Sequence, residues 1–294
     1  MSDRRRDVLA GLAALGAAGP ARGQIQVGAP WEDIVAAGRL RIAYYDDLAP
    51  YAFTADGGRR GIDVDIADAI GARLGLAVEH VPMGADETID DDLRNAIWKG
   101  PRIGGSGVAN VMLHVPVDRG LKVPIDMHNP RNELVYFFGP YHVERFAVAV
   151  DPERVPADAT LAVFQYEPVG VELDSLPDFF LSSAFGGRLR ANVRRFRYVE
   201  EGLAAFLAGE VAGFMAMRSQ LDHALAGSET TLRVQDMPLP GLTKPSWEIG
   251  LAAHTNYRRI GYEVGDAVTA LVRDGTIPAI FAAYGVTYEK PPYL

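Results

Sequence analysis

Between residues 40 and 76 the hydrophobic pattern changes period once. Arg41-Ile-Ala-Tyr-Tyr45 is a short β-favouring run, whereas Ile66, Ile70 and Leu74 recur every fourth residue as the apolar stripe of a helix. Pro50, Gly57 and Gly58 break the chain between the two, so the stretch predicts a βα unit. Asp63, Asp65 and Asp68 crowd the start of that helix, where carboxylates suit the exposed amides and the positive end of the dipole. In open α/β sheets ligands gather beyond the carboxyl ends of the strands, so residues 46–53, Asp47 among them, are expected to line a site.

The same reading extends along the chain. Trp31, Ile34 and Val35 predict a short leading helix. Residues 77–83 read as a strand, 89–99 as a helix and 108–115 as a strand after a glycine-rich turn. Residues 145–150 form the body of a long strand, and residues 161–165 are expected to be another. Residues 198–217 predict a helix, a stop at Gly209 and a buried strand. A returning strand over 247–253 precedes two closing helices, 264–273 and 277–284, with Pro278 just inside the last, where proline is tolerated. Strands alternating with helices make an α/β chain. Its 294 residues exceed what one core usually supports, which predicts about two domains.

Composition narrows the function. A formal net charge of -9 argues against a nucleic-acid surface, which is normally basic. Arg188, Arg190, Arg194, Arg195 and Arg197 form a local basic run without an aromatic ladder for base stacking, and read as a solvated helix face or sheet edge. The sequence contains no cysteine, which excludes a disulfide framework, a thiolate nucleophile, a cysteine metal site and a lipobox anchor. Arg4-Arg5-Arg6, an apolar stretch over residues 8–18 and the small residues around Gly23 predict an export signal over residues 1–23 and a periplasmic mature chain. Arg5-Arg6-Asp7-Val8-Leu9 leaves Sec and twin-arginine export both open. No other apolar run reaches the roughly 18 residues needed to cross a bilayer.

Leu40-Arg-Ile-Ala43, Pro50-Tyr51-Ala-Phe53 and Gly61-Ile-Asp63-Val-Asp65-Ile-Ala67 follow one another in the order and spacing that open family 3 of the bacterial extracellular solute-binding proteins. The chain resembles that family from about residue 39 to residue 286. Tyr136-Phe-Phe-Gly-Pro-Tyr141 ahead of Arg145 is similar to the family's first interdomain crossing, and Asp274-Gly-Thr276 to its C-terminal signature. The resemblance implies a two-lobed type II periplasmic-binding-protein fold with two hinge strands. Lobe 1 would hold residues 24–142 and 241–294, and lobe 2 residues 143–240. It implies capture of a small molecule between the lobes and delivery to an ABC transporter permease, with no catalysis, no cofactor and no resident metal. Residues 138–141 and 111–116 are also similar to the solute-binding-like proteins associated with quinoprotein alcohol dehydrogenases, which implies a second role as partner of a periplasmic quinoprotein dehydrogenase. An enzyme resembling cyclohexadienyl dehydratase is a third reading.

Carried onto this sequence, the family's ligand-binding arginine falls at Arg119, its first aspartate at Tyr45, its stacking aromatic at Leu48 and its second aspartate near Met217. Gln165 ends the expected strand of lobe 2, and Tyr166-Glu167-Pro168 stands where the family carries Gly-Thr. Without the two carboxylates, an ammonium group in a closed cleft would be left unpaired at a cost of several kcal/mol. Tyr44, Tyr45, Tyr51, Phe53 and Tyr141 make either an aromatic cleft or ordinary core. His114, His128 and His142, with Asp118 and Asp126, are donors suited to a divalent metal, but no pair has helical spacing, and they read as structural. The acidic run Asp86, Glu87, Asp90, Asp91 and Asp92 reads as a solvated helix start rather than a cation loop. Residues 100–107 lack the closing Lys-Ser/Thr of a phosphate loop, and Ser106 lacks a nucleophile elbow. The ligand-binding set is therefore Tyr45, Asp47, Leu48, Tyr51, Phe53, His114, Arg119, Tyr141, Gln165, Glu167 and Met217.

Overall fold

A computed structural model describes residues 28–101, 107–117, 134–227 and 230–294. After a short helix, α1 (Trp31–Ala37), the chain enters β1 (Arg39–Tyr45), whose Leu40, Ile42 and Tyr44 are fully buried. A small hairpin, β2 (Phe53–Ala55) and β3 (Gly58–Arg60), leads into α2 (Ile62–Leu74). Ile66 and Ile70 on that helix are fully buried, as the four-residue period predicts. β4 (Ala77–Met83) then pairs parallel to β1. α3 (Ile89–Leu93) continues as a wider π-turn over Arg94–Trp98, so the helix expected at 89–99 is present with a change of pitch inside it. β5 (Val111–Pro116) lies parallel to β1 on its other side.

β6 (Val135–Val150) is the long crossing strand. It is followed by β7 (Val169–Glu172), α4 (Leu176–Gly187), β8 (Val193–Phe196), α5 (Val199–Leu207), β9 (Gly213–Met217), α6 (Arg218–Leu225) and β10 (Arg233–Gln235). The chain returns through β11 (Ser246–His254) to α7 (Arg258–Arg273) and α8 (Thr276–Ala283). Residues 161–165 are not a strand: they form a turn of 3-10 helix, and the strand comes later, at β7. Two side chains fix the turn. The Thr160 hydroxyl accepts from the Ala162 N–H at 3.4 Å, and Asn192 donates to the Phe164 carbonyl at 3.1 Å while the Phe164 ring is buried.

Among the described residues the large sheet runs β4-β1-β5-β11-β6-β9-β7-β8, with β10 on β6. Its strands pack in two places. Leu40, Ile66, Ile70, Leu113, Tyr141, Leu251, Val264 and Phe281 share one core, and Ala43, Ile97, Met112 and Ala252 cover the opposite face of the same strands. Val148, Val150, Phe164, Val171, Leu181 and Met215 make another core, backed by Ala147, Phe206, Phe214 and Leu221. β6 belongs to both, pairing with β11 over Val135–Arg145 and with β9 over Phe146–Val150. The five arginines of the basic run are all exposed, and Arg194 and Arg195 lie on β8 at the end of the sheet, as expected of a solvated edge. No helix among the described residues is long and apolar enough to cross a membrane.

Candidate functional site

The site is built from the loop that leaves β1. Leu48 and Ala52 exchange backbone hydrogen bonds, and the Tyr51 N–H donates to the Leu48 carbonyl at 2.7 Å, so the loop folds back and turns the Tyr51 ring inward. The free N–H groups at the start of α2 secure it: Ile62 donates to the Pro50 carbonyl at 3.1 Å and Asp63 to the Tyr51 carbonyl at 2.9 Å. Only glycine fits between them. Gly61 has φ +141°, and a Cβ there would lie 2.1 Å from the Tyr51 carbonyl oxygen.

Behind the loop, polar side chains meet out of contact with water. Asp63, Tyr51, Tyr141, Glu144 and Ser219 have no solvent exposure, and His114 is 7% exposed. The Tyr141 hydroxyl donates to Asp63 Oδ1 at 2.8 Å and accepts from the His114 N–H at 3.2 Å. His114 Nδ1 stands 3.1 Å from Asp63 Oδ2, off the axis of a hydrogen bond. His114 also holds φ +61°, a conformation uncommon for a residue with a side chain and concentrated at functional positions. Its ring meets Tyr51 edge-on at 4.0 Å. The Tyr51 hydroxyl reaches past it to donate to Glu144 Oε2 at 2.7 Å. The Ser219 hydroxyl donates to the same oxygen, and the Arg145 N–H gives Oε1 a bond of 2.8 Å.

Electrostatics follow from this burial. Loss of water pushes the Glu144 carboxyl above its ordinary range, against the pull of the hydrogen bonds from Ser219, Tyr51 and the Arg145 amide. Tyr51 and Tyr141 are pushed well above theirs, first by burial and then by the neighbouring Glu144 and Asp63 carboxylates, so both remain hydrogen-bond donors. Burial, reinforced by nearby His114, lowers His142 to about 3, and its neutral Nδ1 accepts the Glu289 N–H at 3.2 Å. The cluster joins α2, β5, β6 and α6. Its hydroxyls are committed to carboxylates, and these bonds tie the elements together.

The expected site residues separate into groups. Tyr51, His114 and Tyr141 come together in the buried cluster. Tyr45 is close, with its ring 6.3 Å from His114, but its hydroxyl donates to Asp92 at 2.8 Å. Leu48 is half-buried and Asp47 exposed beside it. Phe53 packs 5.8 Å from His223 and 6.3 Å from Tyr284. Met217 ends β9 opposite Phe146, its N–H donating to Gln220 Oε1 at 3.2 Å. Gln165 and Glu167 lie ahead of β7 rather than after it, and Glu167 is held by Arg154 at 2.7 and 3.0 Å. The residues that do follow the strand are Leu173, Asp174 and Ser175, where Ser175 caps α4 and Asp174 has φ +59°. Arg119 falls outside the described residues, as do residues 1–23, Ser106, Asp118, Asp126 and His128. Among the described residues no group of three or more His, Cys, Asp or Glu is placed to hold a metal. Glu144 and Ser219 were not foreseen: nothing local in the sequence marks them, since their partners lie 93 and 75 residues away.

Residues 40–96 match the family model of the bacterial extracellular solute-binding proteins, family 3. No curated protein matches the chain. Among solved structures, an ancestral cationic amino acid solute-binding protein is 18% identical with a TM-score of 0.65, over 86% of this chain and 98% of that one. An amino acid ABC transporter substrate-binding protein from Streptococcus pneumoniae bound to L-arginine is 20% identical with a TM-score of 0.57, over 88% and 98%. The second substrate-binding domain of Lactococcus lactis GlnP, in an open conformation, is 15% identical with a TM-score of 0.60, over 88% and 97%. The fold is that of the type II periplasmic binding proteins, and residues 40–96 carry the signature of family 3 of the bacterial extracellular solute-binding proteins.

Proposed function

We propose that this chain is an exported solute-binding protein that closes two lobes on a small molecule and delivers it to an ABC permease. Residues 24–142 with 241–294 form one lobe and residues 143–240 the other. The observation that carries this reading is β6, a single strand whose two halves lie in different cores, with Glu144 at the changeover accepting from Tyr51 on one side and Ser219 on the other. Such a crossing lets rigid halves turn about a few residues. The ligand is neutral or acidic with an apolar part. Tyr45 and Met217 occupy the positions of the family's two acids, and the Tyr45 hydroxyl is already spent on Asp92, so an ammonium group would find no partner there. Arg119 supplies the charge for an acidic or carbonyl group.

Calorimetry on refolded, ligand-free mature protein tests this. Aromatic and branched monoacids should bind more tightly than any of the amino acids, and Arg119→Ala should weaken them by about 2 kcal/mol or more. Submicromolar binding of a basic or polar amino acid would overturn the ligand class, and unchanged affinity in Arg119→Ala would remove that residue from the site.

A further inference from the structure

A cavity opens beside the second half of β6. It occupies about 430 Å³ between β6 and the chain returning to β11, and it meets the buried cluster only at Arg145, whose N–H serves Glu144 while its side chain lines the cavity. Phe146, Met237, Leu239 and Pro245 give it apolar walls, and Arg145 stands at one end. Gln235, Ser246 and the carboxylate of Asp236 also line it. The size, and apolar walls with a few polar groups, are those of a small-molecule site. The Arg145 guanidinium makes no hydrogen bond among the described residues. Its ion pairs among those residues are two, each at 3.7 Å, with the exposed carboxylates of Asp236 and Glu289. Exposed pairs at that distance contribute little, so the planar fork keeps donors for a bidentate carboxylate. Phe146 packs against Trp247 with ring centroids 5.0 Å apart, so a ring or branched chain laid on Phe146 would meet a fixed surface.

We infer that this cavity is an auxiliary binding site for a small carboxylate with an aromatic or branched apolar body, its acid on Arg145 and its body against Phe146 and Met237. The inference does not depend on the cleft, although the ligand chemistry is similar, so the two sites are tested apart. Phenylacetate is titrated into mature protein carrying Arg119→Ala, with affinity read by calorimetry and location by the Trp247 indole N–H resonance. Binding should move that resonance. Adding Arg145→Gln or, separately, Met237→Trp, which fills the cavity, should weaken phenylacetate by about tenfold or more, and phenethylamine, with the opposite charge on a similar body, should not bind. Circular dichroism melts establish that each variant is folded, and either variant alone suffices if the other is not. No phenylacetate binding, an unmoved Trp247 resonance, or equal affinity in a folded variant would overturn the site. Loss of binding in Arg119→Ala alone would assign phenylacetate to the cleft and also overturn it.

Discussion

Glu144 is a buried carboxylate supplied with donors by parts of the chain far apart in sequence, and its behaviour is set by how many of those donors remain. Tyr51→Phe and Ser219→Ala each remove one hydroxyl from the same oxygen, so each should destabilise the protein by about 1–3 kcal/mol. The double substitution should depart from the sum, because the two donors share an acceptor. Urea midpoints give all three values, and strict additivity would show that the hydroxyls act independently. His142 makes a pH-dependent contribution of known sign. Its folded value of about 3 lies below its ordinary 6.5, so the unfolded chain takes up the proton first as the pH falls. Stability is therefore lost between about pH 6.5 and pH 3, at up to about 1.4 kcal/mol per pH unit. Glu144 acts in the opposite sense. Its folded value is raised above 4.5, so its contribution declines as the pH climbs from 4.5 through that raised value. His142→Gln should flatten the acid limb of a plot of urea midpoint against pH, and an unaltered limb would assign the acid sensitivity elsewhere.

At the scale of elements, the opening βα unit was legible because period and breakers agree there. Ile66 and Ile70 mark the helix stripe, and Gly61 stands where the loop must touch the helix. Gly61→Ala places a methyl against the Tyr51 carbonyl and should cost at least about 2 kcal/mol, with the loss of protection centred on residues 48–63 in hydrogen exchange. A neutral substitution would mean that the loop can move away from α2. Residues 161–165 misled because Leu161, Val163 and Phe164 are apolar enough for a strand, while the caps that hold them helical come from Thr160 and the distant Asn192. That eight-residue displacement of the strand moved Gln165 and Glu167 into the expected site and left Asp174 and Ser175 out of it. Asp63 was legible only as an acid at a helix start. Its burial against Tyr141 and His114 depends on β5 and β6 arriving from 51 and 78 residues away, a contact that no local pattern encodes.

The molecule as a whole is bound together by the order in which its strands enter the sheet. β11 lies between β5 and β6 although it is the last strand in the sequence, and it is hydrogen-bonded to both. The core around Leu40 and Leu113 also draws Leu251, Val264, Val268 and Phe281 from the final quarter of the chain, whereas the core around Val148 and Met215 is assembled from residues 146–242 alone. A chain ended at residue 245 should therefore lose protease resistance over residues 31–117 while residues 146–225 stay protected. Equal protection of both segments would show that β5 and β6 can hold the sheet without their neighbour. The later-numbered core can close while the earlier one is still waiting, so in a chain that has just been made or exported, residues 31–98 should stay chaperone-accessible until the last fifty residues arrive.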